Sequence, residues 1–173
     1  MHNKHVEQIF FSIGNSSFGQ VIVAQSQVGL CAVILGENPA ELQLLLQARF
    51  PQAHLIHDDC KTKNILSQII ELMENPLKKI DFTLDERGTL FQRSVWKALR
   101  EIPIGTTSSY AEIAKKISSP KAVRAVGGAC AANPLALVTP CHRVIRKDGN
   151  LSGYRWGIER KLQYLQLESK LKK

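Results

Sequence analysis

The side chains best suited to covalent chemistry lie together, around Cys141 and His142. Cysteine reacts as the thiolate, and the flanking His142, Arg143 and Arg146, with a helix N-terminus expected nearby, predict a lowered pKa for the Cys141 thiol. Adjacent side chains on a regular strand point to opposite faces, so this pair can cooperate only if Pro140 bends the chain. On these residues alone, a buried thiol beside a hydrogen-bonded imidazole stays open as the alternative.

The three other cysteines have less reactive settings. Cys31 falls in an apolar strand and Cys130 in a helix of alanine and glycine, so we expect both to be core residues. His54, His57 and Cys60 follow one another at three-residue spacing, which resembles part of a metal site, but no fourth ligand stands at a convincing distance. We therefore expect a solvated segment there, and neither a metal nor another cofactor.

Charge is distributed unevenly along the chain. Residues 1–85 carry 6 basic and 9 acidic side chains, a net charge of −3, whereas residues 86–173 carry 17 and 6, a net charge of +11. This asymmetry favours a polyanionic partner for the second half, and a basic surface that only maintains solubility is the alternative.

The composition is that of an ordinary globular protein. Of 173 residues, 44% are apolar and 22% charged, which is enough apolar material for a sizeable core. The longest apolar runs, such as Leu30–Leu35, are far shorter than a membrane span, and the N-terminal residues lack the apolar stretch of a secretory signal. We expect a cytoplasmic protein without membrane contact.

Residues 1–85 are predicted to form a small α+β domain of a sheet plus helices. Three strands rich in Ile, Val and Phe, separated by turn residues such as Gly14–Ser17, predict an antiparallel meander. Helix, strand and helix follow, and residues 75–88 then form a linker or an irregular crossover. The predicted elements are strands Gln8–Ile13, Gly19–Gln25, Leu30–Leu35 and Ala53–His57, a helix from Asn38 to Phe50 with Leu42, Leu45 and Leu46 on one face, and a helix carrying Leu66, Ile69, Ile70 and Met73.

Residues 86–173 are predicted to be mostly helical. Thr89–Gln92 and Ser109–Glu112 are capping boxes that start two helices. A turn at Ser118–Pro120 and a helix from Lys121 to about Ala132 would complete a helix-turn-helix. A last helix from Ile158 is expected to turn Leu162 and Leu165 inward.

The predicted second helix of that motif has few side chains that could read base edges. After Lys121 and Arg124 it presents mainly small residues, among them Ala125 and Gly128. Small residues allow close approach to DNA, which suits recognition by shape with one inserted side chain, and Arg124 is the candidate for insertion. Packing of one helix on another is the alternative reading of these alanines and glycines.

The segment containing Cys141, with Asn133 before it and Gly153–Gly157 after it, resembles the methylated-DNA–protein-cysteine methyltransferases, which repair O6-alkylguanine. The likeness runs from Phe91 to about Glu168. In detail, this segment is most similar to the C-terminal methyltransferase domain of the bacterial adaptive-response regulator. Residues 9–60 fit the family's N-terminal domain less specifically. The resemblance implies a ribonuclease H-like first domain, 1–85, and a winged helix-turn-helix-like second domain, 86–173.

The resemblance also implies roles for the residues of the site. Cys141 would accept the alkyl group, His142 would deprotonate it through a water, and Glu168 would orient the imidazole. Tyr110 would donate a hydrogen bond to a flipped guanine, and Arg124 would fill the gap left in the duplex.

Other positions would support the pocket or the DNA contact. Asn133 would brace the turn before the site, and the backbone around Val144 would recognise the exocyclic amine of guanine. The remaining family positions are Pro140 and Lys161 near the site, Tyr154, Arg155 and Trp156 in a covering loop, and Lys121, Ala125 and Gly128 on the DNA side.

The function implied is irreversible, single-turnover transfer of an alkyl group from O6-alkylguanine, and from O4-alkylthymine, in duplex DNA to Cys141 of a monomeric protein. Two other readings stay open. A sequence-specific transcription factor would use the helix-turn-helix, and a thiol hydrolase built on Cys141 and His142 would turn over repeatedly and need an oxyanion hole.

Overall fold

The computed structural model describes residues 5–172. The chain divides into two compact units, Met1–Glu86 and Arg87–Lys173. Helices and strands both contribute, so the expected α+β class is confirmed at that level. Within the described residues, every helix is too short or too polar to span a lipid bilayer.

The first unit is built on a four-stranded sheet in the order β3-β2-β1-β4. The first three strands form the predicted antiparallel meander, and β4 returns parallel to β1. The two helices follow β3 and β4 in the chain. The elements are β1 (Gln8–Ser16), β2 (Gly19–Gln25), β3 (Leu30–Gly36), α1 (Pro39–Arg49), β4 (His54–His57) and α2 (Asp59–Glu74).

The turn predicted at Gly14–Ser17 is wrong, because β1 continues through Ser16 and the chain reverses just after it. Gly14 has another reason to be glycine. A Cβ atom added there would lie 2.8 Å from the side chain of Ile70 and 3.1 Å from that of Leu66, so the glycine lets α2 pack closely on the strand.

Helix packing in this unit follows the predicted pattern with one exception. In α1, Asn38 caps the first turn by accepting a hydrogen bond from the amide of Ala40, and Leu42 and Leu46 are fully buried. Leu45, expected on the same inward face, is 39% exposed. Helix α2 starts at Asp59 and buries Ile69 and Met73 as predicted.

Residues 75–88 are irregular but partly attached to the sheet. The amide of Leu30 donates to the carbonyl of Thr83 at 2.9 Å, and the amide of Asp85 donates to the carbonyl of Leu30 at 2.8 Å. The Ser26 hydroxyl also donates to the Asp85 carboxylate at 2.6 Å. The segment is therefore a crossover that covers one end of the edge strand β3, not a free linker.

The second unit consists mainly of helices. Both predicted capping boxes are present, with side chain and backbone bonded reciprocally at Thr89 and Gln92 and at Ser109 and Glu112. A two-stranded parallel pair accompanies the helices. The elements are α3 (Leu90–Arg100), β5 (Ser108–Ser109), α4 (Tyr110–Lys116), α5 (Val123–Ala131), a 3₁₀ turn (Cys141–Arg143), β6 (Val144–Ile145) and α6 (Ile158–Ser169).

Helix α5 begins at Val123, two residues later than predicted, so Lys121 lies in the preceding turn. The turn is longer because Ser118 adopts a left-handed backbone conformation, with φ of 60°, and the amide of Ala122 bonds to the carbonyl of Ser119. Ala122 stands at the N-cap position and supplies no side-chain cap.

Helix α6 has a different inward face from the one predicted. Leu162 is 44% exposed and Leu165 is half-buried, whereas the buried positions are Lys161, Tyr164 and Glu168. These positions recur at helical spacing. Hydrophobic periodicity predicts the wrong inward face here, because α6 packs against buried polar side chains.

Candidate active site

The segment around Cys141 turns sharply, as the proline predicted. Pro140 has φ of −82° and ψ of 64° and precedes the 3₁₀ turn that contains Cys141 and His142. Because the backbone is not extended there, both side chains are directed into the protein, with only 5% and 1% of their surfaces exposed.

Asn133 joins the end of α5 to this turn. Its Nδ2 atom donates to the carbonyl of Thr139 at 2.8 Å and to Sγ of Cys141 at 3.2 Å, and its Oδ1 atom accepts from the amide of Leu135 at 2.9 Å. Asn133 is fully buried. One amide group therefore fixes the chain between α5 and Cys141 and contacts the sulfur directly.

Behind the turn, Glu168 of α6 binds both His142 and Arg143. Its Oε1 atom lies 2.7 Å from Nε2 of His142. Arg143 donates from Nη2 to Oε1 and from Nε to Oε2, each at 2.9 Å, which is a bidentate ion pair. These bonds lower the pKa of Glu168 to about 2, although burial opposes them.

The state of His142 follows from this partner. An ionised carboxylate can only accept, so Nε2 carries the proton and Nδ1 is left with a lone pair. Nδ1 is buried and has no hydrogen-bond partner among the described residues. Burial lowers the pKa of His142, so the imidazole is neutral at pH 7.

The expectation of a lowered pKa for Cys141 is wrong. Burial raises the pKa of this thiol to about 11, and the contacts with Asn133 and Lys161 offset the effect only in part. The two arginines on which the expectation relied do not face the sulfur as predicted: Arg143 is bound to Glu168, and Arg146 is exposed. The resting pair is thus a thiol near a neutral imidazole.

Lys161 is a buried lysine that ties the polypeptide around the site. Its Nζ atom donates to the carbonyl of Val144 at 2.6 Å and to that of Leu151. Only 1% of its surface is exposed, and burial lowers its pKa. The backbone at Val144, directly after the turn that contains Cys141, is therefore held by α6.

A cavity of about 310 Å³ opens beside the Cys141 side chain. The hydroxyl groups of Tyr110 and Ser152 lie 2.7 Å apart, and the rings of Tyr154 and Trp156 meet edge to face at 5.3 Å. Burial raises the pKa of Tyr110, which keeps its phenol protonated. The lining residues are Tyr110, Gly127, Cys130, Ala131, Cys141, Gly153, Tyr154 and Arg155.

Cys130 is buried as expected, yet it also lines this cavity. Burial raises the pKa of its thiol to about 12, higher than that of Cys141. The sequence pattern of alanine and glycine concealed this position, because it predicts a packed helix and says nothing of the cavity on one side.

The predicted DNA-side residues are exposed. Arg124, Ala125 and Gly128 lie on α5, and a Cβ atom added at Gly128 would meet nothing within 4 Å. Lys121 is exposed in the turn before the helix. On the same helix, a Cβ atom added at Gly127 would lie 3.9 Å from the ring of Tyr110. The outer surface of helix α5 thus carries mainly small residues, and the helix also borders the cavity beside Cys141.

The weak metal pattern forms no metal site among residues 5–172. No group of three or more His, Cys, Asp or Glu side chains there could hold an ion. His57 instead lies 2.9 Å from the carboxylate of Asp59, and Cys60 is exposed.

Arg143 is the site residue that sequence reasoning missed in this role. Its position beside Cys141 predicts an activator of the thiol, but its guanidinium is bound to the carboxylate of Glu168, which in turn bonds to His142. A long-range pair between Arg143 and Glu168 leaves no trace in local spacing.

Comparison with known proteins defines the class. The family described as "6-O-methylguanine DNA methyltransferase, DNA binding domain" matches residues 90–170. A methylated-DNA–protein-cysteine methyltransferase of Methanosarcina mazei is 49% identical, over 92% of this chain and 97% of that protein. The chain belongs to the methylated-DNA–protein-cysteine methyltransferase family.

Two further relatives show how far the likeness extends. The bifunctional transcriptional activator/DNA repair enzyme Ada of Escherichia coli is 45% identical over 92% of this chain, and the chain spans only 45% of its length. The crystal structure of Mycobacterium tuberculosis OGT in complex with DNA superposes with a TM-score of 0.78 at 36% identity, covering 94% of this chain and 93% of that one.

Proposed function

We propose that the protein repairs duplex DNA by transferring the alkyl group of O6-alkylguanine to Cys141 in a single, irreversible event. The observation that carries the proposal is the Cys141 thiol at a cavity wall, followed in the chain by His142, whose imidazole is hydrogen-bonded to Glu168. The names of the relatives support it, and so does the net charge of +11 on residues 86–173.

The reaction is a displacement at the alkyl carbon. The sulfur of Cys141 attacks that carbon, a C–S bond forms and the bond from carbon to O6 breaks. The thiol proton passes to Nδ1 of His142 through a water, and Tyr110 donates a proton to the guanine ring as O6 takes up the electron pair. The proton gained by His142 then replaces, through solvent, the one that Tyr110 gave up. The products are unmodified guanine and a thioether, which has no good leaving group at neutral pH.

The resting protonation states fit a coupled proton transfer. With a pKa of about 11, the Cys141 thiol is almost entirely protonated at pH 7. A pre-formed thiolate is therefore scarce, and the proton must leave during the reaction. His142 is the neutral base whose free lone pair can receive it.

The target base must leave the duplex to reach the cavity, because O6 lies within the base stack. Arg124 is the exposed, long side chain on the small-residue helix α5, and it would occupy the space that the flipped base leaves. Ala125 and Gly128 allow the helix backbone to approach the DNA, and Lys121 would bind a phosphate.

The finer fold assignments belong to the same proposal. The strand order β3-β2-β1-β4 with a parallel last strand supports a ribonuclease H-like first domain, 1–85. Helices α4 and α5 with the pair β5-β6 support a winged helix-turn-helix in the second, 86–173. We further propose a monomeric, cytoplasmic protein that needs no cofactor and also accepts O4-alkylthymine.

Intact-mass measurement tests the reaction. The protein is incubated with a duplex oligonucleotide carrying one O6-methylguanine, and Cys141→Ser is the matched control. The wild type should gain the mass of one CH₂ unit, because a methyl group replaces the thiol hydrogen, and the oligonucleotide should lose the same mass. Release of a free base would indicate a glycosylase, release of methanol a hydrolase, and tight binding to one undamaged sequence without mass change a transcription factor.

A further inference from the structure

Arg143 has a set of contacts that the alkyl transfer as described does not use. It is buried, with 8% of its surface exposed. Two of its nitrogen atoms donate to the two oxygens of Glu168, and the third, Nη1, donates to the carbonyl of Ile102 at 2.8 Å. The guanidinium is thus fixed between the residues that follow α3 and the last turns of α6.

We propose that Arg143 is a positioning residue, which keeps Glu168 ionised and balances its charge, so that His142 rests as the neutral tautomer with Nδ1 open to the thiol proton. This inference rests on the proposed alkyl transfer for its functional meaning. Its physical content, the protonation of His142, can be measured without any substrate.

The argument begins with the shared oxygen. Oε1 of Glu168 accepts from His142 at 2.7 Å and from Arg143 at 2.9 Å, while Oε2 accepts from Arg143 alone. A carboxylate facing an imidazole by itself favours imidazolium, because the ion pair is stabilised in a buried site. The guanidinium already compensates the negative charge, so a second cation on His142 gains much less.

The other groups that face His142 do not replace this effect. From α6 it faces Lys161, whose charge also disfavours imidazolium, and the ring of Tyr164 at 5.6 Å. On its own turn lies Cys141, whose pKa is raised. On α3, which also packs against the turn, Arg100 donates to the hydroxyl of Thr139. Glu168 is the acidic side chain of this set, and Arg143 is bound to it on both oxygens.

Arginine contributes geometry in addition to charge at this position. The planar guanidinium makes two parallel bonds to the carboxylate and keeps a third nitrogen for Ile102, whereas a lysine ammonium acts as a point charge. Arg143 therefore holds the carboxylate in the orientation in which Oε1 meets Nε2 of His142.

The test is a titration of the His142 imidazole by NMR in three proteins: wild type, Arg143→Lys and Arg143→Met. In the Met variant Glu168 has lost its counter-charge, and the pKa of His142 should rise by about one unit relative to wild type. The Lys variant keeps the charge and should stay close to wild type. Circular dichroism confirms that each variant is folded. If the Met variant is not, Arg143→Gln removes the charge in its place and should show the same rise in the pKa of His142.

Kinetics supply the second measurement. The pH dependence of transfer from an alkylated oligonucleotide should show its acid limb displaced upwards in the Met variant, because protonated His142 cannot accept the thiol proton. An unchanged His142 titration in a folded Met variant, or an even loss of rate at every pH, would reduce Arg143 to a packing residue. If the pKa of His142 shifts as expected but neither the wild type nor any variant transfers an alkyl group, the proposed function is wrong and the electrostatic inference still holds.

Discussion

Helix α2 in the first unit turns Ile69 and Met73 inward, whereas α6 in the second turns Lys161, Tyr164 and Glu168 inward. Within residues 5–86 the buried polar side chains are uncharged, and Ser12 and Thr62 bond to each other at 2.7 Å. A buried charge lowers stability unless it is paired and hydrogen-bonded. The second unit buries three charged side chains, and each of them has a hydrogen-bonded partner. This indicates that the interior of the second unit is arranged for chemistry, whereas the interior of the first unit is arranged for stability.

The largest expected effect falls on the sulfur. Cys141→Ser should abolish alkyl transfer, because a hydroxyl is a far weaker nucleophile that occupies the same space. DNA binding, measured by fluorescence anisotropy, should stay within about twofold of wild type because the DNA-side residues are untouched. Cys130→Ser is the matched control in the same cavity, and it should transfer the alkyl group. Activity that depends on Cys130 instead would reverse this assignment.

Glu168→Gln should slow transfer by about a hundredfold, because the amide no longer fixes the tautomer of His142. The carboxylate raises the pKa of His142, so its loss should lower that pKa and move the acid limb of the rate profile downwards. This direction is opposite to that expected for Arg143→Met. An unchanged rate and pH profile would remove Glu168 from the relay.

The same variant tests the cost of burying charge. The pKa of Glu168 is lowered to about 2 from 4.5, so its contribution to folding is complete above pH 4.5 and is lost as pH falls towards 2. Glu168→Gln also leaves Arg143 without its counter-ion and should reduce the free energy of unfolding at pH 7 by about 3 kcal/mol. Urea unfolding at pH 7 and pH 3 should show a smaller difference between wild type and variant at the lower pH.

Arg124→Ala should weaken repair of duplex DNA by roughly thirtyfold, which corresponds to about 2 kcal/mol of the cost of holding a base out of the stack. Reaction with free O6-alkylguanine base needs no flipped state and should be nearly unaffected. Lys121→Ala serves as the control, and it should lower DNA affinity and its salt dependence only. Equal losses on duplex and free base would exclude Arg124 as the inserted side chain.

The smallest effect on chemistry is expected in the first unit. Ile69→Ala should reduce the free energy of unfolding by about 2 to 5 kcal/mol, because it leaves a cavity in the core, and Ile69→Val by about 1 kcal/mol. Transfer rates measured well below the unfolding temperature should equal that of wild type for both. A specific loss of transfer rate in folded Ile69→Val would contradict the assignment of stability to the first unit and chemistry to the second.

Much of the fold followed from local patterns. Alternation and turn residues predicted the antiparallel meander, and the capping boxes at Thr89 and Ser109 fixed where two helices begin. Such signals are contained within a few neighbouring residues, so they can be recognised from the sequence alone. Where the role of a residue depends on a distant neighbour, local patterns mislead: Gly14 fits a turn pattern, yet it makes room for the side chain of Ile70.

The site shows the same limit more sharply. The motif at Cys141 and the resemblance it carries named part of the cavity lining, Tyr110, Cys141, Tyr154 and Arg155, but not its α5 side. The raised pKa of the thiol was also missed, because it depends on burial, which spacing does not reveal. The predicted inward leucines of α6 were wrong for a related reason. Hydrophobic periodicity assumes an apolar interior, and Lys161 and Glu168 are buried because Val144, His142 and Arg143 provide their partners.

The central claim is that one molecule of protein removes one alkyl group and keeps it on Cys141. A time course with a large excess of alkylated duplex measures this most directly, followed by mass analysis of the proteolytic peptides. The account predicts a plateau at one equivalent of repaired guanine, with the alkyl mass on the peptide containing Cys141 and none on those containing Cys31, Cys60 or Cys130. Continued turnover beyond one equivalent, or an alkyl group on another cysteine, would contradict it.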